Sequence, residues 1–354
     1  MGLSCGLIGL PRSGKTTVFN AMTAAQAEAF GAEMNRAIVS VPDPRVERLV
    51  GLYQPAKVVP ATLEVVDIPG LEPGSTAGNG RGAKLLSYLK EANALVHVVR
   101  CFEAPGETID PVHDVERVDL ELVVADVQTL TNKIDRLAKR VRTGDKVAER
   151  DVADCTKVRN ALEQAIPVRR QTLTSDEAAS VRECTLLSQK PVLYVANVHA
   201  MTEADSPLVH ALRALAEGED APLVVIAGRD EADIAELHPD DRPAFLAELG
   251  LREPSIERLI RAAYRLLRLS DFFTAGEREV HVWTCRAGDT APVAAGRIHT
   301  DMEKGFIRME VIRFEDLIAH GSEGAVAKAG KQRVEGRTYE VQDGDIVVVR
   351  FNGR

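Results

Sequence analysis

The stretch "GLIGLPRSGKTT" at residues 6–17 decides the fold of the first part of this chain. Within it, residues 9–16 fit the pattern G-x-x-x-x-G-K-[ST], directly after a short apolar run and directly before a helical pattern. Gly9 and Gly14 permit a tight turn in which successive backbone N–H groups point inward, and the following helix adds its positive N-terminal end. We therefore predict a strand, a phosphate-binding loop and a helix, a context that makes a chance glycine-rich turn the weaker interpretation.

The residues of this loop have predicted roles toward a nucleotide. Lys15 would reach the β- and γ-phosphates, and the Thr16 hydroxyl would ligate Mg²⁺, so both are candidate catalytic residues. The loop residues that we expect to contact the nucleotide are Gly9, Pro11, Arg12, Ser13, Gly14, Lys15, Thr16 and Thr17.

A second motif, "LEVVDIPGL" at 63–71, supplies the other half of the site. Asp67, at the end of a buried strand, can bind Mg²⁺ through water, and the N–H of Gly70 can contact the γ-phosphate, which makes Gly70 the third candidate catalytic residue. Leu71 stands where a glutamine would orient the attacking water, and leucine neither donates nor accepts a hydrogen bond. We expect slow hydrolysis, with the glycine-rich segment 73–82 as a mobile switch II ordered by the γ-phosphate.

The pattern that reads guanine, N-K-x-D, is incomplete. A predicted strand ends in Asn197, but Val198 stands in place of the lysine and Ala200 in place of the aspartate. Without that carboxylate, the N1–H and N2–H₂ donors of guanine lack their acceptor, which costs a few kcal/mol when they are buried. We therefore expect no preference for guanine. Without the other motifs, Asn197 would be only a polar residue at a strand end.

Apolar runs of strand length alternate with helical patterns at 3–9, 61–69, 94–102, 190–197 and 222–228. Such alternation predicts a parallel sheet that is buried on both faces. Between the third and fourth runs, apolar residues recur with alternating spacings of three and four, at Leu120, Val123, Val127, Leu130, Ile134, Leu137 and Val141. We predict a helical coiled-coil insertion there. A helix packed on the sheet is the alternative.

The last part of the chain has a different pattern. Four segments have the length and apolar content of strands, namely "REVHVWTC" at 278–285, "AAGRIHT" at 294–300, "RMEVIRF" at 308–314 and "DGDIVVVRF" at 343–351. One helix is predicted near "EDLIAHGSEGAVAKAG" at 315–330. We expect a small mixed β domain.

Composition excludes several classes of protein. A net charge of −9 over 354 residues argues against wholesale wrapping of nucleic acid, although local basic patches remain open. The five cysteines are scattered and form no CxxC pair, which fits reduced thiols better than a disulfide frame or a zinc site. There is neither a signal-peptide pattern nor an apolar run long enough to span a membrane. We expect a soluble, cytoplasmic protein that needs no membrane.

With these motifs assembled, the chain resembles the YchF family of Obg-related P-loop NTPases, the Obg-like ATPases, over nearly its whole length. The resemblance includes "VPDPR" at 41–45, "HVVRCFE" at 97–103, "KPVLYVANV" at 190–198, "FFTAGEREVHVWT" at 272–284 and "IHTDMEKGFIRMEVI" at 298–312. It implies an α/β fold with a P-loop G domain whose sheet is mostly parallel, a helical coiled-coil insertion and a C-terminal TGS domain of mixed α/β, ubiquitin-like fold. The predicted ranges are 1–118 with 189–269 for the G domain, 119–188 for the insertion and 270–354 for the TGS domain.

The resemblance also implies that ATP binds with Mg²⁺ and in preference to GTP. Carried over by position, Phe102 would stack on adenine, Asn197 and Val198 would border it, and Ala227 would complete the cofactor-binding set. The family loop has asparagine where this chain has Arg12, and in potassium-assisted relatives that asparagine helps to hold a monovalent cation. Either the Arg12 guanidinium takes the place of the cation or it points to solvent, so a bound monovalent cation is doubtful.

Two further features bear on turnover. The segment after Phe30 has no clear match for the switch I threonine that ligates Mg²⁺ in the family. His97 lies within an apolar strand, where a structural role is a better interpretation than that of a general base. Two functions compete: a slow ATPase that acts as a molecular switch on the ribosome or translation machinery, and a nucleotide-binding interaction protein that has lost hydrolysis.

A basic helical face is the predicted contact to ribosomal RNA. Its residues on and beyond the first insertion helix are Lys133, Arg136, Lys139, Arg140, Arg142, Lys146 and Arg150. The alternative is an ordinary solvated exterior, because charged outer faces are normal on coiled-coil helices. No feature indicates sequence-specific binding of DNA.

Overall fold

The computed structural model describes residues 4–24, 28–30, 36–71, 74, 81–103, 106, 108–238 and 240–353. Packing divides the chain into two compact units. The N-terminal unit comprises Met1–Val39 and Glu64–Ala263, and the C-terminal unit comprises Ser40–Leu63 and Tyr264–Arg354.

The described strands are, in chain order, β1 (Ser4–Ile8), β2 (Glu28–Phe30), β3 (Arg36–Ser40), β4 (Val58–Val59), β5 (Thr62–Asp67), β6 (Ala94–Arg100), β7 (Val192–Asn197), β8 (Leu223–Ile226), β9 (Leu269–Ala275), β10 (Val280–Arg286), β11 (Phe306–Arg313), β12 (Arg333–Glu335) and β13 (Asp345–Phe351).

The described α-helices are α1 (Lys15–Ala24), α2 (Pro44–Tyr53), α3 (Arg81–Glu91), α4 (Pro111–Val141), α5 (Lys146–Leu162), α6 (Ser175–Val181), α7 (Pro207–Gly218), α8 (Gly228–Glu236), α9 (Arg242–Glu248), α10 (Ser255–Leu266), α11 (Ala291–Ile298), α12 (Thr300–Lys304), α13 (Phe314–His320) and α14 (Glu323–Lys328). Short 3₁₀ helices cover Val168–Arg170, Arg182–Cys184, Leu187–Gln189 and Met201–Glu203.

The N-terminal unit is built on a seven-stranded sheet of order β2-β3-β5-β1-β6-β7-β8. The five strands predicted from apolar runs are β1, β5, β6, β7 and β8, and the pairs among them are parallel. The edge pair of β2 and β3 is antiparallel. Every residue of β1 and β7 is buried, which explains why these strands are continuous apolar runs. The prediction of a mostly parallel sheet is confirmed.

The helix α4 connects the sheet to the predicted insertion without a break. Val118 and Leu122 lie in the core beside the sheet, whereas Leu130 packs with Cys155 and neighbouring residues of α5. The predicted apolar stripe is correct from Val123 onward, but its first member, Leu120, is 49% exposed. Residues two apart on a helix point in nearly opposite directions, so a helix that buries Val118 and Leu122 turns Leu120 outward. We call the helical pair α4 and α5 beyond Val123 the arm.

A buried charge network fixes the base of the arm. The Arg169 guanidinium donates to Asp119 of α4 at 2.5 Å and to Glu219, after α7, at 3.2 Å. The hydroxyl of Tyr194, on β7, donates to the same glutamate at 3.0 Å. Breaking a buried ion pair by removing one partner typically costs 3–5 kcal/mol, so these contacts hold α4, α7 and β7 in one arrangement.

The C-terminal unit contains a six-stranded sheet of order β12-β11-β13-β9-β10-β4. Its short strand β4 pairs in parallel with β10, and Arg45 of α2 donates to Asp343 at 2.7 Å. Packing therefore groups residues 40–63 with the C-terminal unit, whereas the sequence-based ranges place them in the G domain. The contacts that hold this segment join residues far apart in the chain, and local patterns do not reveal them.

Two expectations for the tail are wrong. The segment "AAGRIHT" is helical rather than extended, because α11 starts with Pro292 in its first turn and buries Ala291, Ala294 and Ala295 on one face. The single helix expected near 315–330 is two helices, α13 and α14, separated at Gly321, whose left-handed backbone ends the first of them.

The remaining expectations about the chain concern thiols and membranes. All five cysteines are free, as predicted. Among the described residues, we find no helix with the length and apolar character needed to cross a bilayer.

The buried histidine of β6 generates a prediction about acid stability. His97 is 2% exposed, and burial, together with the positive charges of Arg169 and Lys15, lowers its pKa from 6.5 to about 3. Between these two values the unfolded chain binds a proton that the folded chain does not, so stability falls as the pH falls. We expect a loss of up to about 1.4 kcal/mol per pH unit in the free energy of unfolding from this residue.

Urea unfolding across this pH window measures the effect. His97→Gln should flatten the pH dependence, whatever its effect on stability at neutral pH. The matched control is His113→Gln, because that side chain is 64% exposed. Parallel pH profiles for the unaltered protein and His97→Gln would contradict the prediction.

Candidate nucleotide site

The predicted site residues lie at the carboxyl ends of neighbouring parallel strands. The loop that starts at Gly9 follows β1, and Leu71, after β5, donates its N–H to Gly9 O at 3.1 Å. The N–H of Cys101, after β6, donates to the carbonyl of Asn197, at the end of β7, at 2.8 Å. Ligands of open α/β sheets bind outside the carboxyl ends of the strands. The structure therefore brings the phosphate-loop motif and the D-x-x-G motif together where a ligand is expected.

The two glycines of the loop cannot be replaced by larger residues. Gly9 and Gly14 have φ values of 148° and 91°, in the region that favours glycine. A Cβ atom on Gly9 would overlap the carbonyl oxygen of Val98, and one on Gly14 would overlap the side-chain amide of Asn197. The loop thus owes its shape both to backbone freedom and to close neighbours.

Lys15 is held beneath the loop by the loop itself. Its ammonium donates to Leu10 O at 2.8 Å and to Gly9 O at 3.2 Å. Burial lowers its pKa, and the negative charge of Asp67 opposes that shift. The carbonyls therefore position a buried cation where the predicted phosphates would lie.

Thr16 and Asp67, the two predicted magnesium ligands, are in direct contact. The Thr16 hydroxyl donates to Asp67 Oδ2 at 2.9 Å. Magnesium that accompanies a nucleotide takes few protein ligands and fills its shell with phosphate oxygens and water, so one hydroxyl and one carboxylate fit it. Over the described ranges, no group of three or more His, Cys, Asp or Glu residues is placed to hold a metal. The donor set fits Mg²⁺ that arrives with phosphates.

Gly70 packs against the phosphate loop. A Cβ atom on Gly70 would lie 3.0 Å from the nitrogen of Pro11, so a larger residue would require the phosphate loop to shift by a few tenths of an ångström. The next residue, Leu71, is fully buried in the core of the sheet. Its side chain therefore faces away from the water that a glutamine would orient.

The middle of the loop combines a strained residue with an unpaired hydroxyl. Arg12 is exposed and has a φ of 65°. Most residues other than glycine adopt this conformation at an energetic cost, which is smaller for asparagine. The hydroxyl of Ser13 is buried and has no hydrogen-bond partner among the described residues. Buried hydroxyls nearly always have a hydrogen-bond partner. An unpaired hydroxyl at this position is therefore consistent with a loop that binds a polar ligand.

The side chain of Asn197 is engaged by the protein. Its Nδ2 donates to Ser13 O at 2.9 Å, and its Oδ1 accepts from the N–H of Gly228 at 3.2 Å. The neighbouring Val198 is 3% exposed and belongs to the core, and Ala227 is buried as well. Asn197 therefore shapes the loop, and the predicted contacts of these three residues with a base stay predictions. Thr17 is exposed at the start of α1.

Phe102 lines an open groove of about 870 Å³ beside the loop. The groove lies between the segments that follow β6 and β7, and its other walls include His199, Glu203, Ser206 and Leu208. Sequence reasoning missed His199 and Glu203. The signal was present, because a glutamate follows three residues after Ala200, but the turn that brings it back to His199 was not predicted.

The predicted switches lie mostly outside the described residues. Of the segment 73–82, only Gly74 and the start of α3 are described, and residues 31–35 of the switch I stretch 31–43 are not. The N–H of Gly74 donates to Glu121 of α4 at 2.8 Å. His97 is too deeply buried and too weakly basic to act as a general base. The structure thus adds a contact between α4 and the segment that follows the second motif.

Comparison with known proteins agrees with this fold. A family model described as "50S ribosome-binding GTPase" matches residues 4–143, and a YchF-GTPase C-terminal model, described as a protein of unknown function, matches residues 269–352. The ribosome-binding ATPase YchF of Haemophilus ducreyi is 43% identical over 99% of this chain and 100% of its own length. The Obg-like ATPase 1 of Caenorhabditis elegans is 36% identical, with 99% of this chain and 92% of its own covered.

A solved structure supports the same conclusion. The YchF GTPase of Schizosaccharomyces pombe matches 99% of this chain and 98% of its own with a TM-score of 0.87, at 29% identity. The similarity therefore extends over both units and is not limited to the phosphate loop. The chain belongs to the YchF family of P-loop NTPases.

Proposed function

We propose that this protein is a nucleotide-dependent molecular switch that binds ATP with Mg²⁺, hydrolyses it slowly and acts on the ribosome. The observation that carries the proposal is the contact of Thr16 with Asp67 at 2.9 Å beside a glycine loop that holds the buried Lys15. The names of the relatives, ribosome-binding ATPase and Obg-like ATPase, support the same function. A ribosomal partner implies a cytoplasmic location.

Each group of the site has a defined task in binding. The ammonium of Lys15 would compensate the charge of the terminal phosphates, and the backbone N–H groups of the loop would donate to their oxygens. Thr16 and Asp67 would hold Mg²⁺, which neutralises part of the phosphate charge when it is bound. Gly70 packs against Pro11, and its N–H would donate a hydrogen bond to the γ-phosphate.

The proposed preference for ATP over GTP rests on the residues that would face the base of the nucleotide. Ala200 offers no carboxylate to the two donors of guanine. The lysine of the guanine pattern is also absent, and Val198 in its place is directed into the core. GTP is therefore expected to bind more weakly than ATP.

Slow turnover follows from the groups beside the predicted γ-phosphate position. Leu71 is buried and apolar, and His97 is buried and neutral, so neither orients or activates water. The contact of Gly74 with Glu121 links the segment after Gly70 to α4, and thus to the arm. We expect nucleotide binding at the site to affect the arm even when hydrolysis is slow.

A second function, nucleotide binding without hydrolysis, is favoured by one observation. The stretch from Gly31 to Asp43 contains no threonine to serve as the switch I magnesium ligand. Phosphate release by the purified protein, with and without ribosomes, separates the two functions. A signal that increases with ribosomes supports the switch, and no release in either case supports the interaction protein.

The first prediction of the proposal concerns Lys15. We expect Lys15→Ala to weaken ATP binding at least tenfold, because a hydrogen bond to a charged group contributes about 1.5–3 kcal/mol. Calorimetric titration with a non-hydrolysable ATP analogue, with and without Mg²⁺, measures the change, and Lys139→Ala on the exposed arm is the control. If Lys15→Ala binds the analogue as tightly as the unaltered protein, the loop does not hold phosphates.

A second prediction concerns the strained residue of the loop. Replacing Arg12 by asparagine should raise the free energy of unfolding by about 1 kcal/mol, because asparagine tolerates the left-handed conformation better. Arg268→Asn is the matched comparison, since Arg268 is also exposed with a φ of 53° and lies in the C-terminal unit. Urea unfolding of both variants tests the conformational effect.

The same variant tests the monovalent cation. If the guanidinium of Arg12 occupies the cation position, phosphate release by the unaltered protein is the same in K⁺ and in Na⁺, and Arg12→Asn gains a dependence on K⁺. Arg268→Asn should gain none. A strong requirement for K⁺ in the unaltered protein would show that Arg12 does not replace the cation.

The third prediction concerns the contact with the ribosome. Arg136, Lys139 and Arg140 are exposed on α4 and near one another on its surface, although Arg140 also pairs with Asp145 at 2.6 Å. Reversing the three to glutamate should weaken co-sedimentation with ribosomes and flatten its dependence on salt, because fewer phosphates are neutralised. Binding of ATP should remain unchanged.

The control has the same change of charge in the C-terminal unit. Arg286, Lys304 and Lys328 are exposed there, and their reversal to glutamate should leave co-sedimentation nearly intact. Equal losses in the two triple variants would indicate a general effect of charge. Unchanged co-sedimentation after the α4 reversal would show that this face is only solvated.

A further inference from the structure

The groove beside Phe102 has the composition of a site for a flat, partly polar group. Phe102, Ile109, Pro207 and Leu208 supply apolar walls, and the volume of about 870 Å³ lies in the range of small-molecule sites. Its position follows from two hydrogen bonds. Cys101, in the wall, is bonded to Asn197, and Asn197 is bonded to Ser13 of the phosphate loop. A nucleotide with its phosphates in that loop therefore has this groove next to it.

One carboxylate in the groove is fixed in place by the backbone. Glu203 ends the 3₁₀ turn Met201–Glu203, and its Oε2 accepts the N–H of His199 at 3.2 Å. Glu103 also lines the groove, but it is exposed, whereas Glu203 is half-buried. The strand end that carries the incomplete guanine pattern thus has a carboxylate after all, three residues beyond Ala200.

We propose that Glu203, oriented by its bond to the N–H of His199, selects the base of the bound nucleotide by accepting a hydrogen bond from the 6-amino group of adenine. This inference rests on the proposed binding of ATP and names the residue that determines its specificity. It gives the site an anionic acceptor that the residue types at Val198 and Ala200 cannot provide.

The arrangement of Glu203 favours adenine over guanine for two reasons. The bond to the N–H of His199 turns one carboxylate oxygen toward the backbone, so a single oxygen is left to face a base, whereas the adjacent N1–H and N2–H₂ donors of guanine are best met by both oxygens together. Guanine and hypoxanthine also carry a 6-oxo group where adenine carries its amino group. A carbonyl oxygen facing a carboxylate has no hydrogen to share and is repelled.

The experiment compares three nucleotides on the full-length protein. Dissociation constants for ATP, ITP and GTP are measured by calorimetry for the unaltered protein and for Glu203→Gln, which keeps an acceptor for the N–H of His199 and so preserves the turn. We expect the variant to bind ATP about tenfold more weakly and ITP no more weakly than the unaltered protein, because the glutamine amide can donate to the 6-oxo group. The ratio of ATP to ITP affinity should therefore fall at least tenfold.

Controls separate recognition of the base from a structural role. Asp205→Asn changes a carboxylate two residues away that is 91% exposed, and it should leave all three constants unchanged. A purely structural role of Glu203 would weaken the three nucleotides equally. Such an equal loss, an unchanged ratio, or a loss of discrimination in Glu103→Gln instead of Glu203→Gln would overturn the inference alone. If the unaltered protein binds no ATP, the proposed function fails, and this inference fails with it.

Discussion

One buried amide, that of Asn197, holds the ligand-facing ends of the central strands together. It donates to the carbonyl of Ser13 in the phosphate loop and accepts from the N–H that opens α8, while its own backbone carbonyl accepts from Cys101. It also fills the space that a side chain on Gly14 would need. Leaving these partners unpaired in the interior would cost about 1–3 kcal/mol for each group. The asparagine is therefore required by the loop, which explains its presence in a chain that lacks the rest of the guanine pattern.

The parts of the site that sequence predicts are those in which local chemistry dictates position. The glycines at 9 and 14, the lysine between loop and helix, and Asp67 at the end of an apolar run each require their own backbone conformation, so the two motifs could be placed from their letters alone. The rest depends on distant partners. Residues 40–63 are held by pairs such as Arg45 with Asp343, and Glu203 joins the groove only because a 3₁₀ turn brings its carboxylate to His199. Neither contact leaves a periodic signal.

The arm is attached to the same strands that end at the candidate site. Arg169 ties Asp119 of α4 to Glu219, and Tyr194 of β7 contacts that glutamate while its ring lies 5.7 Å from the ring of His97 on β6. Buried charges are stable only in a narrow set of geometries, because any displacement leaves an uncompensated charge in the interior. Asp126 acts similarly two turns farther along the same face of α4, where it accepts from the N–H groups of Leu187 and Ser188. The arm thus joins the sheet through oriented polar contacts in addition to apolar packing.

These constraints separate binding from turnover. The groups that would bind phosphate and metal, Lys15, Thr16 and Asp67, are held by short contacts to the loop and to each other. The position of the water-orienting glutamine is instead filled by the buried Leu71, and the His97 side chain is buried and neutral. Slow hydrolysis would prolong the nucleotide-bound state. That state can affect a partner only if the nucleotide site is physically connected to the surface that the partner contacts. The N–H of Gly74 is bonded to Glu121 on the helix that becomes the arm, and this contact would provide that connection. In such an arrangement the occupied site, rather than the hydrolytic event, is what the arm would report to a partner.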